Sequence, residues 1–353
     1  MSKERPLILI VDDEGKVTKA FKEDHGNDYR IESINKIDIG FISDKLKTTY
    51  SGEAKPDLIL TDLKHEVIDP ALDGLKKEIW DKMALLKESI SQYNTITRPV
   101  ILKHGINVLK TARKVYGNNI PVAIYTGTSF IAEYMNSTLL EEHLELNGEW
   151  IQMRLGKTYE SVKIERLLDG KKEENKKPFI LIIDGKGKPI KGRKSQPEEF
   201  IENHNGEYRI VSINTKDVAF IEEVFKNEYS GDNRPDLILT DFMAFKNDEE
   251  PLKQKIFSEA DRFKVLIDEL NEMSQSAYKS HGFQLLEIVR EVYQDDTPVA
   301  IYTGFGIITE YNNIKDHTKV VKLNGEWFQK KLGKNFESKK IKQLLNKKKE
   351  QNK

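Results

Sequence analysis

Short, continuous apolar runs alternate along the chain with stretches in which apolar residues recur at helical spacing. The runs at residues 7–11, 58–60 and 122–125 are typical of strands that are buried on both faces of a parallel sheet. In the stretch 104–116, apolar residues recur every three or four positions, which predicts a helix with one face on that sheet. This alternation of strand and helix predicts a doubly wound α/β fold of the flavodoxin-like kind.

The chain repeats itself at the length of a domain. Six sequence blocks occur twice in the same order, and in the first copy they read PLILIVD, YRIESIN, PDLILTD, HGINVLKTARKVY, PVAIYTG and LNGEW. The period of about 175 residues is longer than the repeat of a solenoid. We therefore expect two parallel-sheet domains, 1–172 and 173–353, separated by the polar segment around residues 169–177.

The predicted strands of both copies end in acidic or hydroxyl side chains. These residues are Asp12, Asp62 and Thr126 in the first copy, and Asp184, Asp241 and Thr303 in the second. Ligands of doubly wound sheets bind at the carboxyl ends of the strands, so we expect these side chains to share a crevice. Carboxylates that lie close together repel one another, and a magnesium ion relieves that repulsion. The alternative is that the aspartates only cap the helices that follow.

The segments LILIVDDE, PDLILTDL and PVAIYTGT, taken in this order, resemble the strand ends of response-regulator receiver domains. That family accepts a phosphoryl group from a histidine kinase. The resemblance implies that Asp62 is the phosphoacceptor, that Asp12 and Asp13 bind Mg²⁺, and that Thr126 is the hydroxyl residue that responds to phosphorylation. In the second copy it implies corresponding roles for Asp184, Asp241 and Thr303.

Each copy departs from the receiver pattern at a different position. Receivers have a lysine at the end of the fifth strand, and alignment through LNGEW places Lys322 there in the second copy but Glu145 in the first. The second copy has Gly185 where the first has Asp13, so we expect its affinity for Mg²⁺ to be weaker. The second copy is accordingly interpreted as a degenerate receiver.

Each copy also contains about thirty residues more than a receiver needs after the strand of its phosphoacceptor candidate. Apolar residues in both segments recur at helical spacing and predict a helix or a helical hairpin: Ile79, Met83, Leu86 and Ile90, and Phe263, Leu266, Leu270 and Met273. Such an insertion either packs on the flank of its own domain or forms a docking surface for a partner.

Composition restricts the classes of protein to which the chain can belong. The formal net charge is -1, so no strong field favours binding to nucleic acid or to an acidic membrane. The absence of cysteine excludes disulfides, thiolate metal sites and cysteine nucleophiles. No apolar run is long enough to span a bilayer, and residues 1–6 lack the apolar core of a signal peptide, so we expect a cytoplasmic protein.

The sequence therefore predicts a phospho-signalling protein of two-component type rather than an enzyme that acts on an external substrate. Its expected partners are a histidine kinase or phosphotransfer protein, a downstream protein and, in a homodimer, a second copy of the chain. Two alternatives remain open. One is a phosphorylation-independent pseudo-receiver scaffold. The other is a metal-dependent phosphatase of haloacid-dehalogenase type, in which Glu14 stands where that family has its second aspartate. The histidines that recur between the copies, interpreted as core or cap residues, are His104, His143, His281 and His317.

Overall fold

The architecture is taken from a computed structural model of the full chain. It describes residues 5–12, 15–36, 38–62, 64–66, 70–97, 101–126, 137–152, 156–168, 176–185, 195–241, 244–245, 250–280, 282–294, 297–303, 314–329 and 334–351.

The described residues of the first repeat alternate between strands and helices, as the apolar pattern predicts. The strands are β1 (Leu7–Val11), β2 (Arg30–Ile34), β3 (Leu58–Thr61), β4 (Lys64–Glu66), β5 (Ile101–Leu102), β6 (Val122–Thr126) and β7 (Glu149–Gln152). The helices are α1 (Lys16–His25), α2 (Ile39–Thr48), α3 (Asp73–Thr97), α4 (His104–Tyr116), α5 (Ser137–Glu145) and α6 (Gly156–Leu167).

The second repeat follows the same order. Its strands are β8 (Phe179–Asp184), β9 (Arg209–Asn214), β10 (Leu237–Thr240), β11 (Ala244–Phe245), β12 (Tyr278–Ser280), β13 (Val299–Thr303) and β14 (Gly325–Gln329). Its helices are α7 (Gln196–Asn203), α8 (Val218–Asn227), α9 (Glu250–Ala277), α10 (Gly282–Tyr293), α11 (Ile314–Lys322) and α12 (Lys334–Gln351). The insertions predicted after the third strand of each repeat are the long helices α3 and α9.

Ten of the described strands form two five-stranded parallel sheets, each with strands from both repeats, and the other four pair antiparallel as β11 with β5 and β12 with β4. One sheet has the order β14-β13-β3-β1-β2, and the other has the order β7-β6-β10-β8-β9. Every pairing in the two sheets is parallel. The doubly wound α/β class is therefore confirmed, with strands arranged in the flavodoxin-like order.

The compact units of the structure differ from the boundaries predicted at residues 172 and 173. Unit 1 consists of Met1–Met83 with Ile267–Lys353, and unit 2 consists of Ala84–Leu266. The first three strands of one repeat are completed by the last two strands of the other, so each unit is formed by an exchange between the repeats. Both α3 and α9 cross a boundary between the units.

Each unit has its own apolar core, which joins residues of the two repeats. In unit 1, Leu9 and Ile42 from the first repeat pack in one cluster with Leu286 and Ile301 from the second. In unit 2, Leu109 and Val122 from the first repeat pack with Leu181 and Phe225 from the second. All eight of these side chains are buried, so burial of apolar surface holds the exchanged halves together.

Among the described residues, no helix is both long enough and apolar enough to cross a membrane. The cytoplasmic location expected from the sequence stays a prediction.

Candidate functional site

The carboxyl ends of β1 and β3 bring Asp12 and Asp62 of unit 1 together. The two strands are hydrogen-bonded neighbours, with Val11 in register with Thr61. The backbone N–H of Asp62 donates to the carbonyl oxygen of Val11, with 3.2 Å between nitrogen and oxygen. The two aspartates therefore follow adjacent strands at the same level, as expected from the sequence.

Asp12 and Asp62 differ in their access to solvent. Asp12 is buried, whereas Asp62 is partly exposed. Asp62 can therefore be reached by a phosphoryl donor from outside, while Asp12 lies deeper at the end of its strand. Asp13, the second member of the predicted acidic pair, lies outside the described residues, as does Glu14.

In the structure, each of the two threonines belongs to the sheet of the other repeat's phosphoacceptor candidate. Thr303 ends β13, which pairs with β3, so Thr303 and not Thr126 belongs to the sheet of Asp62. Thr126 ends β6, which pairs with β10, and so belongs to the sheet of Asp241. The prediction that Thr126 accompanies Asp62 is therefore wrong, because the repeats exchange their last two strands.

Lys322 does not occupy the strand end that the alignment gave it. It is the last residue of α11, and β14 begins three positions later at Gly325. Lys322 therefore precedes the last strand and lies toward its amino end, while Asp12 and Asp62 follow the carboxyl ends of theirs. In the sequence, the residues that directly follow β14 are Lys330 and Lys331, which lie outside the described residues.

The equivalent site of unit 2 is more closed. Asp184 and Asp241 follow the same pattern on β8 and β10, and both are buried. The backbone N–H of Gly185, at the position equivalent to Asp13, donates to Oδ1 of Asp241 over 3.1 Å. The second acid of the pair is thus absent from unit 2, and the backbone at that position donates to the carboxylate of Asp241.

His104 lies against the carboxylate of Asp241, which the sequence did not reveal. Its Nε2 is 3.6 Å from Oδ1 of Asp241, and both side chains are 1% exposed. Burial lowers the pKa of His104 to about 4, so the imidazole is neutral at pH 7. The signal in the sequence was the HG pair that opens the same sequence block in both repeats, but nothing in it indicated a partner.

Two carboxylates per unit fit what a magnesium ion uses, because Mg²⁺ binds one or two carboxylates and keeps several waters. Asp12 and Asp62 supply such a pair in unit 1, and Asp184 and Asp241 in unit 2. Over the described part of the chain, no group of three or more histidine, aspartate and glutamate side chains is placed to hold a metal ion.

A second set of buried polar residues joins the repeats behind each sheet. In unit 1, the carboxylate of Glu337 accepts from the Tyr302 hydroxyl over 2.9 Å and lies 3.1 Å from Nε2 of His25. In unit 2, Glu160 has the same contacts with Tyr125 and His204, both at 3.0 Å. These networks satisfy polar groups that are buried in a core, and we assign them a structural role.

Comparison with known proteins leaves the family open. No protein-family model matches the chain, and no curated protein matches it at a significant level.

Proposed function

We propose that the protein is a phospho-signalling protein of two-component type in which Asp62 accepts a phosphoryl group. One observation carries the proposal: Asp12 and Asp62 follow neighbouring parallel strands at the same level, with Asp62 accessible from solvent. The donor would be the phosphohistidine of a histidine kinase or of a phosphotransfer protein.

In the proposed transfer, a carboxylate oxygen of Asp62 attacks the phosphorus, the new oxygen–phosphorus bond forms, and the bond to the donor imidazole breaks. Bound Mg²⁺ would neutralise the charge on the phosphoryl oxygens. Asp12 would help to hold that ion from its buried position, together with Asp13. Thr303, at the end of the strand beside β3, is the hydroxyl residue available to respond to the modified Asp62.

Unit 2 is proposed to act without phosphorylation. Asp241 is buried, accepts a hydrogen bond from the backbone of Gly185 and has the neutral imidazole of His104 at 3.6 Å. These contacts support the pseudo-receiver alternative for this unit, with binding of a downstream protein or of a second copy as its output. No described residue favours the phosphatase alternative.

The proposal can be tested with beryllium fluoride and Mg²⁺, which together mimic an aspartyl phosphate. Trp327 on β14 lies in unit 1, beside Ile301 of the strand that ends in Thr303, and its fluorescence reports on this site in a Trp80→Phe, Trp150→Phe background. We expect a fluorescence change that is lost in Asp62→Asn and reduced at least about tenfold in Thr303→Ala.

Thr126→Ala is the matched control, because Thr126 ends the equivalent strand of the other sheet. It should leave the response of Trp327 unchanged. Mass spectrometry after incubation with phosphoramidate and Mg²⁺ should find one phosphoryl group in the parent chain and in Asp241→Asn, and none in Asp62→Asn. A chain that gains no phosphoryl group and shows no fluorescence response contradicts the proposal and favours the scaffold.

A further inference from the structure

The two units contain equivalent helix seams, and each seam joins one repeat to the other. The seam of unit 1 is formed by α2 and α10, and the seam of unit 2 by α8 and α4. The hydroxyl of Tyr293 donates to the carbonyl oxygens of Leu46 and Tyr50, over 3.1 and 2.7 Å. The hydroxyl of Tyr116 makes the same two bonds in unit 2, to Phe225 and Tyr229. The tyrosine hydrogen bonds are therefore alike in the two seams and do not distinguish one repeat from the other.

The charged residues of the seams do distinguish the repeats. Position 114 on α4 is equivalent to position 291 on α10, yet residue 114 is lysine and residue 291 is glutamate. Nζ of Lys114 lies 2.7 Å from a carboxylate oxygen of Glu222 in unit 2. Nζ of Lys47 lies 3.3 Å from a carboxylate oxygen of Glu291 in unit 1. Each seam thus has an ion pair between opposite charges from different repeats.

Pairing within one repeat would bring like charges together. Lys114 would then face Lys47, with Ser43 at the position that Glu222 occupies in the other repeat. Glu291 would face Glu222, with Lys226 as the remaining positive charge. Pairing within a repeat would therefore replace the Lys114–Glu222 contact by two lysines, and would place Glu291 beside Glu222 as well as Lys226. Ion pairs on a surface are weak individually, but unlike the tyrosine hydrogen bonds they differ between the two arrangements and so favour one of them.

We propose that the opposite charges at positions 114 and 291 select the partner of each half, so that the repeats assemble by exchange and not each on its own. Helix α2 of the first repeat thus packs on α10 of the second, and α8 of the second repeat packs on α4 of the first. The choice has a chemical consequence, because exchange is what places Thr303 rather than Thr126 beside the strand of Asp62. The inference does not depend on phosphorylation of Asp62.

A second pair of charges provides an internal control. Lys110 pairs with Glu142 in the first repeat, and at the equivalent positions Lys319 pairs with Glu287 in the second. These charges are also opposite between the repeats. Both partners belong to the same repeat in each case, so these pairs are kept whichever way the halves assemble and cannot select a partner.

Crosslinking can measure the choice of partner, because the chain contains no cysteine of its own. Lys157 lies 2.7 Å from Glu207 of the other repeat, and the residue equivalent to Glu207 in its own repeat is Asp28. Lys157→Cys with Glu207→Cys therefore reports assembly by exchange. Lys157→Cys with Asp28→Cys reports assembly within a repeat. Each full-length chain is refolded from urea and treated with a short bis-maleimide, and the linked peptides are identified by mass spectrometry.

With the native charges, we expect the 157–207 link within one chain and little of the 28–157 link. The exchange Lys114→Glu with Glu291→Lys keeps the composition and net charge but reverses the preference. It should raise the ratio of the 28–157 link to the 157–207 link by about tenfold or more. The single substitution Lys47→Glu should shift the ratio in the same direction, which provides a second test if the double variant folds poorly.

The control Lys110→Glu with Glu142→Lys should leave the ratio unchanged. Two results would overturn the inference. One is a native chain that forms mainly the 28–157 link, because the repeats would then not be exchanged. The other is a folded charge-exchange variant, together with a folded Lys47→Glu variant, that gives the native ratio, because something other than these charges would then select the partner.

Discussion

The two aspartates that follow the third strands, Asp62 and Asp241, have the same sequence before them and different surroundings. PDLILTD is identical in both repeats, but Asp62 is partly exposed and Asp241 is buried beside His104. A phosphoryl donor can reach a buried carboxylate only if the residues that enclose it move away. Asp241 is enclosed by the backbone of Gly185 and by His104, and the strand sequence before it, which is identical in both repeats, does not determine that burial.

Burial of His104 makes the stability of the protein depend on pH. Its pKa is about 4 in the folded chain and about 6.5 when unfolded, so the unfolded state binds the proton first as the pH falls. The free energy of unfolding should therefore decrease between pH 6.5 and 4. In His104→Gln this decrease should be smaller by about 2 kcal/mol, measured by urea unfolding at pH 7 and pH 4.5.

The measurement at pH 7 gives the cost of the substitution itself, and only the difference between the two pH values reports the titration. If the free energy of unfolding falls by the same amount between pH 7 and pH 4.5 in the native chain and in His104→Gln, then burial does not keep the imidazole neutral.

At the scale of elements, the LNGEW blocks are turns that join a helix to the last strand of a sheet. Asn147 and Asn324 both have a φ of 50°, in the left-handed region that asparagine tolerates better than most residues. A Cβ on Gly148 would lie 2.7 Å from Cδ2 of Leu109 and would also overlap the ring of His143. Trp150 donates from Nε1 to Nδ1 of His143 over 3.1 Å. His143 is thus a buried core residue, as expected from the sequence, and Trp150 packs against its ring.

The close approach at Gly148 predicts a large effect of adding one methyl group. Gly148→Ala should lower the free energy of unfolding by about 2 kcal/mol or more, because the side chains of Leu109 and His143 would have to move. Gly74→Ala is the control, since a Cβ there meets nothing within 4 Å and Gly74 is in the first turn of α3. It should leave the stability unchanged or raise it slightly. Similar effects of the two substitutions in urea unfolding would contradict this account of the turn.

Elements and fold class could be predicted from the sequence because they depend on local patterns of apolar residues. The continuous runs of β1, β3 and β6 indicate buried strands, and Ile79, Met83, Leu86 and Ile90 are all buried on α3 as their spacing predicts. Which strands share a sheet could not be predicted in this way. PDLILTD and PVAIYTG are each identical in both repeats, so no feature of the strands themselves shows which copy of β6 or β13 pairs with β3.

At the scale of the whole molecule, the exchange makes each repeat depend on the other. Each sheet has strands of both repeats, and the cores of both units combine buried side chains from residues before and after the segment 169–175. A repeat on its own would supply three strands of one sheet and two of the other, and these strands would lack the neighbours that complete each sheet. The repeats should therefore remain associated without a covalent link.

This dependence predicts the result of cutting the chain between the repeats. If a protease site replaces residues 169–175 and is cleaved, the two fragments should elute together in size-exclusion chromatography, at the volume of the uncut chain. They should separate only at urea concentrations that unfold the sheets, because two of the eight strand pairings in the two sheets, β3–β13 and β6–β10, join one fragment to the other. Two independent domains would separate after cleavage in buffer alone, and that outcome would contradict the exchanged assembly.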